Sequence, residues 1–493
     1  MNTLHKHEIV AENRWLLPFW GVVYLLLVGA IQWHIPSPMD GDTSYHAAVG
    51  QLIRDHGILQ AFPWTPFSWL ADNYADKELL FHLLFVPLID FGWIRAAQII
   101  DTVCGAAILL TICLVLRREG VKYPWLWALI PLAASHTFVY RFSIVRPHLL
   151  SIILAILVLW AATGGKTKLL AAVSAIYPWA YVAWLMPVVL VVIAETARYL
   201  SGRGIRIKPM LVALGGMATG LALHPNSVNL VRLAWIQIVD VLFRTAWGAK
   251  EGFDLGLEFL PETIEGWTKG LLVCVIMLIA ALVLAWRERR EGELPLAFAL
   301  AALGFALMTA KSCRFLEYFV PFSVAALALA SRSVRWRFFP HILLLVSLIY
   351  TFSLNYRFLR SFGDSPDCLP QSVVKFLQEK IPPGSQVFTA DWASTGGLML
   401  ALPNRRFIVG LDPTFFYMKD PDLYRLWYGV SHDAPPDTID QIRKKFSARF
   451  VVCFYPIKVI SQEWTPFFER LASDPRVKTY IVEDFWILFD LGP

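Results

Sequence analysis

Long apolar stretches separated by short basic loops dominate the first 355 positions. The stretches fall at 15–35, 97–116, 123–140, 147–163, 169–182, 184–200, 209–224, 268–286, 294–310, 315–331 and 339–355, with a shorter one at 79–93. Most approach the roughly 17–25 residues that a helix needs to cross a bilayer. Basic residues gather at Arg117/Arg118/Lys122, Lys166/Lys168, Arg198/Arg203/Arg206/Lys208, Arg287/Arg289/Arg290 and Arg332/Arg335/Arg337. Loops rich in Lys and Arg stay cytoplasmic. With all five clusters on that side, the stretches alternate consistently only when 79–93 does not cross fully. That predicts eleven spans, with the loops 36–78 and 225–267 and the tail all outside. If 79–93 crosses, a weak segment at 229–243 must cross too, which takes the count to about thirteen.

Beyond residue 355 the pattern changes to a mixture of polar and apolar positions. "SVVKFLQEKI" and "DTIDQIRKKF" have helical spacing, whereas "QVFTAD", "RFIVG", "RFVVCFY", "KTYIVE" and "FWILFDL" alternate as strands do. The expected architecture is a polytopic α-helical membrane module over 1–355, followed by a C-terminal α/β domain over 356–493. "STGG" in the tail reads as a glycine turn without phosphate-loop spacing, so it predicts no nucleotide site.

Composition closes off other classes. Of 493 residues, 57% are hydrophobic and 17% charged, too few polar groups to cover a soluble particle of this size. The formal charge of +6 sits in orienting loops and so does not indicate nucleic acid. The first stretch is too long for a signal-peptide core and should remain as a helix. Six cysteines show no metal-like spacing, and Cys453 looks like part of a buried strand, which disfavours a bridge to Cys368. Short loops favour a bacterial or archaeal plasma membrane, in the bacterial case the inner membrane.

The candidate chemistry begins at "MDGDTSYH", 39–46, where the chain leaves the first span. Asp40 and Asp42 lie two residues apart at a membrane interface, where carboxylates are costly without a task. Tyr45, Val49, Leu52 and Ile53 share one face of a surface helix that Asp42 is placed to cap. Asp40 is therefore the expected catalytic carboxylate. Arg141 and Arg146 in "YRFSIVRPH", Lys311 and Arg314 in "TAKSCRF", and Lys77 supply cations at the same outer level. Several cations in such short outer turns point to a bound anion, because Arg holds phosphate bidentately and keeps its charge. His46, Glu78, His148, His224, Asn226 and Glu258 are further candidates to line the site. A phosphate site without a nucleotide fold, facing outward, fits a polyprenyl-phosphate sugar. The cations would stabilise the leaving phosphate, and a carboxylate would accept the acceptor's proton.

At this point the chain resembles a family, the C-type integral-membrane glycosyltransferases. These include the oligosaccharyltransferase catalytic subunit, the protein O-mannosyltransferases and the aminoarabinose transferase of lipid A. "DGDTSYHA" is similar to the pattern that opens their first outer loop, and "DKELLFHLLFVPL" to the stretch leading out of it. "RFSIVRPHLLS" and "KSCRFLEYFVPF" are similar to two further segments. The resemblance implies inverting transfer of a hexosyl or pentosyl group to a saccharide, lipid or protein acceptor, as a step of glycan biosynthesis, with Asp40 or Asp42 as the base. The tail carries no WWDYG-like motif, which speaks against peptide N-glycosylation. Asp40 and Asp42 also offer oxygen ligands for Mg²⁺ or Mn²⁺; metal-independent transfer ranks ahead. The competing readings are a lipid-linked saccharide transporter and a non-catalytic scaffold. A transporter would place ionisable groups near the midplane, whereas Asp90, Asp101 and Glu195 all lie near span ends.

Overall fold

A computed structural model describes residues 16–34, 41–244, 256–333, 336, 338–361, 369–410, 413–454, 465–483 and 486–492. Asp40 and Cys368 lie outside the described residues. Most predicted apolar stretches form one helix, but 123–140 divides at Ser135 into Pro124–Ala134 and His136–Ser143, and 79–93 breaks after Leu79–Phe85 into the single turn Ile89–Phe91. Leu79–Phe85, at seven residues, is by itself too short to cross a bilayer. Leu16–His34, Trp93–Arg118 and Cys313–Ala330 are each long and apolar enough to span a bilayer. Two bent pairs pass the same test together: His136–Ser143 with His148–Thr163, at 112°, and Ile207–Leu223 with Ser227–Asp240, at 119°. The remaining apolar helices are shorter, such as Pro124–Ala134, Leu272–Arg287 and Leu294–Thr309. Proline explains part of the shortening. Pro131 lies inside one helix, and Ser135 ends it and caps the next by accepting from Phe138 N at 3.0 Å. Helix faces turned away from the core expose Leu26, Val189, Leu211, Ile276 and Ile349, as lipid contact requires. This is a polytopic helical membrane protein with a C-terminal α/β segment.

The basic clusters meet at one end of the bundle. Arg206 reaches Glu195 at 2.8 Å and the carbonyl of Ala162 at 2.9 Å, Arg198 reaches Glu293 at 3.0 Å, and Arg332 donates to the carbonyl of Glu119 at 3.0 Å. Ala162 lies near the C-terminal end of His148–Thr163, whose other end begins the corner that carries Arg146. The first and second loops therefore gather at the opposite end.

The tail forms a mixed sheet in the order β2-β1-β3-β5-β4. Its strands are β1 (Gln386–Phe388), β2 (Arg406–Phe407), β3 (Phe450–Phe454), β4 (Lys478–Val482) and β5 (Trp486–Asp490). β1 pairs in parallel with β2 and β3, and β5 pairs antiparallel with β3 and β4. All five match the predicted strands, and Cys453 is a free thiol on β3. "STGG" is not a plain turn: Thr395–Ala401 is helical. One apolar core joins this sheet to the first loop, with Val49, Ile53, Phe62 and Trp64 packed among Val373, Val387, Leu398 and Phe407. Two glycines permit the closest approach. A Cβ on Gly41 would stand 2.4 Å from the carbonyl oxygen of Ala393, and one on Gly396 would stand 2.2 Å from that of Gly41.

Candidate active site

The site forms where the corner 144–147, the first-loop helix Gly41–His56 and the second-loop turn Leu257–Phe259 meet. The sharp bend between His136–Ser143 and His148–Thr163 turns Arg141 and Arg146 toward the loops. Glu258 is fixed by its neighbours: Ser312 Oγ donates to its carbonyl at 2.8 Å, and Cys313 N donates to the carbonyl of Leu260 at 2.8 Å. Glu258 then becomes a hub. Its carboxylate accepts from Arg146 Nη1 at 2.8 Å and Arg141 Nη1 at 3.0 Å, and Arg314 Nη1 stands 3.6 Å away. Burial pushes the Glu258 carboxyl up, but Arg314, Arg146 and Arg141 outweigh it and hold it well below the usual carboxylate range.

Arg146 bridges both loops, because its Nη2 lies 3.0 Å from Asp42 Oδ2. Asp42 sits inside the first turn of its helix rather than ahead of it, and its carboxylate faces Arg146. The guanidinium gives the Asp42 carboxylate a charge-assisted partner across the two loops. Arg141 is buried and turned inward, with Nε donating to Glu317 Oε1 at 2.6 Å and Nη2 pairing with the same carboxylate. Arg314 Nη2 donates to Tyr181 OH at 3.3 Å, and its guanidinium lies 5.0 Å from the Phe259 ring centre. The expected cationic collar is thus an interlocked network in which Asp42, Glu258 and Glu317 balance three arginines. Lys311 is half-buried in the turn just before Arg314.

The remaining candidates divide between this network and its supports. Lys77 Nζ donates to Gln237 Oε1 at 3.1 Å and stands 3.8 Å from Glu78 Oε1. His148 is a buried support whose Nε2 donates to the carbonyl of Arg141 at 2.7 Å. His224 accepts from Asn226 N at 3.1 Å through Nδ1. Asn226 in turn clamps the first loop: its Oδ1 accepts from Asp76 N at 3.3 Å and its Nδ2 donates to the carbonyl of Leu59 at 3.2 Å. His46 is buried and its imidazole pKa falls well below the usual range, first through burial and then through His82, Arg146 and Lys77. The sequence reading missed Asp76, His82, Tyr181 and Glu317. Glu317 and His82 are single polar residues in apolar stretches, and that interruption was the available signal.

No family model matches the chain, and no curated protein matches it. Solved structures do. The oligosaccharyltransferase of Archaeoglobus fulgidus, tethered to an acceptor peptide, aligns over 98% of this chain and 75% of its own, at 11% identity and a TM-score of 0.57. ArnT from Cupriavidus metallidurans, bound to undecaprenyl phosphate, aligns over 98% of this chain and 100% of its own, at 11% identity and a TM-score of 0.60. The mycobacterial arabinofuranosyltransferase AftD aligns over 98% of this chain but only 42% of its own, at 15% identity and a TM-score of 0.54. At such identities the likeness is one of architecture, and it is consistent across all three: the chain has the fold of the integral-membrane C-type glycosyltransferases.

Proposed function

We propose that this protein is an inverting glycosyltransferase that moves a sugar from a polyprenyl-phosphate donor to an acceptor hydroxyl on the extracytoplasmic side of the membrane. The observation that carries this reading is Arg146, which reaches Asp42 of the first loop and Glu258 of the second within 3.0 Å. One side chain thereby joins a carboxylate suited to proton acceptance with a cluster suited to a phosphate. Arg146, Arg314 and Lys77 would hold the donor phosphate. Arg314 is the most readily recruited, because 3.6 Å leaves it outside hydrogen-bond distance of Glu258. Arg141, spent on Glu317 and Glu258, would brace the site rather than touch the donor. Charge gathered by the phosphate as the sugar C1–O bond breaks falls among guanidinium groups already in place. The neighbouring Asp42, in the pair with Asp40, would accept the proton of the attacking hydroxyl. Either carboxylate could also serve a Mg²⁺ or Mn²⁺ ion, although Arg146 already supplies a positive charge to Asp42.

Incubating the purified protein with radiolabelled polyprenyl-phosphate sugars tests the reading. Release of polyprenyl phosphate together with a labelled acceptor is the expected result. An intact donor moved between leaflets of a vesicle would instead identify a transporter.

A further inference from the structure

The first loop holds a second constellation that the arginine network does not use. His46, on Gly41–His56, and His82, on Leu79–Phe85, are both buried, with His46 Nδ1 at 2.8 Å from His82 Nε2. Both Asp76 oxygens lie 2.8 Å from His82 Nδ1. That nitrogen therefore carries the proton, and Nε2 presents its lone pair to His46. Glu78 is also buried, yet its carboxylate accepts no hydrogen bond among the described residues. Lys77 Nζ stands 3.8 Å from it, and the neutral His46 Nδ1 4.0 Å. Held only by this looser ion pair, the carboxylate keeps lone pairs open to a further ligand. One donor atom each from His46, Glu78 and His82 lies within 4.8 Å of the others.

We propose that His46, Glu78 and His82 bind a divalent transition-metal ion of the zinc type, with Asp76 holding the His82 ring from behind. Two imidazoles and one carboxylate suit such an ion, whereas Mg²⁺ and Ca²⁺ prefer oxygen alone. The Asp76–His82 pair is the outer hydrogen bond that fixes a metal-binding imidazole in its tautomer and orientation. Tetrahedral ligands about 2.0–2.1 Å from zinc stand roughly 3.3 Å apart. The imidazole nitrogens, now at 2.8 Å, must part slightly, and Glu78, now 4.0 Å from His46, must close slightly. The proton of the His–His hydrogen bond moves to His46 Nε2 as Nδ1 turns its lone pair to the metal. Three protein ligands leave a fourth position for water. The site is distinct from the Asp40–Asp42 pair and does not depend on the glycosyltransferase reading. It would tie the first-loop helix to Leu79–Phe85 one turn from Asp42.

The test uses the full-length protein in detergent, stripped with chelator and titrated with Zn²⁺ alone, with bound metal counted after dialysis. One equivalent should be retained, and Zn²⁺ but not Mg²⁺ should raise the thermal midpoint. Co²⁺ in its place should show the intense visible bands of a four-coordinate ion. His82→Gln should lose the equivalent. Asp76→Asn, which keeps all three ligands, should weaken binding by about 10–100-fold. The proposal is overturned if the wild type retains no Zn²⁺, if folded His82→Gln retains it, if Asp76→Asn binds as tightly as wild type, or if Co²⁺ shows only the weak bands of a six-coordinate ion.

Discussion

Replacing Glu258 by Gln removes the anion that three arginines share while keeping the side chain's size. Breaking a fully buried ion pair by deleting one partner costs about 3–5 kcal/mol. Two features lower that figure here. The Glu258 side chain is 21% exposed, and Arg146 and Arg141 keep Asp42 and Glu317 respectively. A loss of about 2–3 kcal/mol is expected, discounted for this exposure and these surviving partners. The pH dependence has a definite sign. The Glu258 carboxyl in the folded protein is held well below its ordinary 4.5, so its contribution is fully present above that value. It drains away as the pH falls from about 5 toward the depressed folded value. Thermal unfolding of wild type and Glu258→Gln in the same detergent, followed by tryptophan fluorescence from pH 7 to 4, reads both features. The gap should be constant between pH 7 and 6 and narrower at pH 4. A gap near zero at pH 7, or one that widens on acidification, would refute the hub assignment.

Four further outcomes follow from the geometry. Asp42→Asn should cut single-turnover transfer by about 10²–10⁴-fold with little change in donor affinity; a fully active variant removes Asp42 from the chemistry. Arg314→Ala should weaken donor binding by about ten- to a hundredfold, as for a lost charge-assisted bond, and Lys should restore only part of it, which a binding titration with polyprenyl phosphate checks. Gly396→Ala drives a methyl group into the carbonyl of Gly41 and should cost about 1–3 kcal/mol, read as a lower thermal midpoint. Cysteines placed at the exposed positions Ile58 and Asp422 should react in intact cells with an impermeant reagent; protection of either one contradicts an extracytoplasmic site.

The strands of the tail and the helices of the bundle were legible because local periodicity encodes them. The site was legible only in part. Arg146 and Arg314 stood out as cations in short outer turns, and Asp42 as an interfacial acid. Glu258 was named as a lining candidate but not as their shared partner, and Glu317 was not named at all. Arg141 meets Glu317 across 176 residues and Glu258 across 117, separations that no local pattern reports. The result was an expectation of free cations where the fold provides a nearly neutral network.

Sequence by itself determined which segments form apolar helices, that the basic clusters gather at one end of the bundle, and that the tail alternates helix and strand. Each follows from spacing or charge within a few residues, where hydrophobic burial and the cytoplasmic preference of Lys and Arg act directly. Tertiary structure alone decided that the first loop and the tail share one core, that Glu258 gathers three arginines, and that two histidines and Glu78 converge beside Asp76. These depend on where distant helices bend and how closely Gly41 and Gly396 approach, because contact between groups remote in sequence is set by packing.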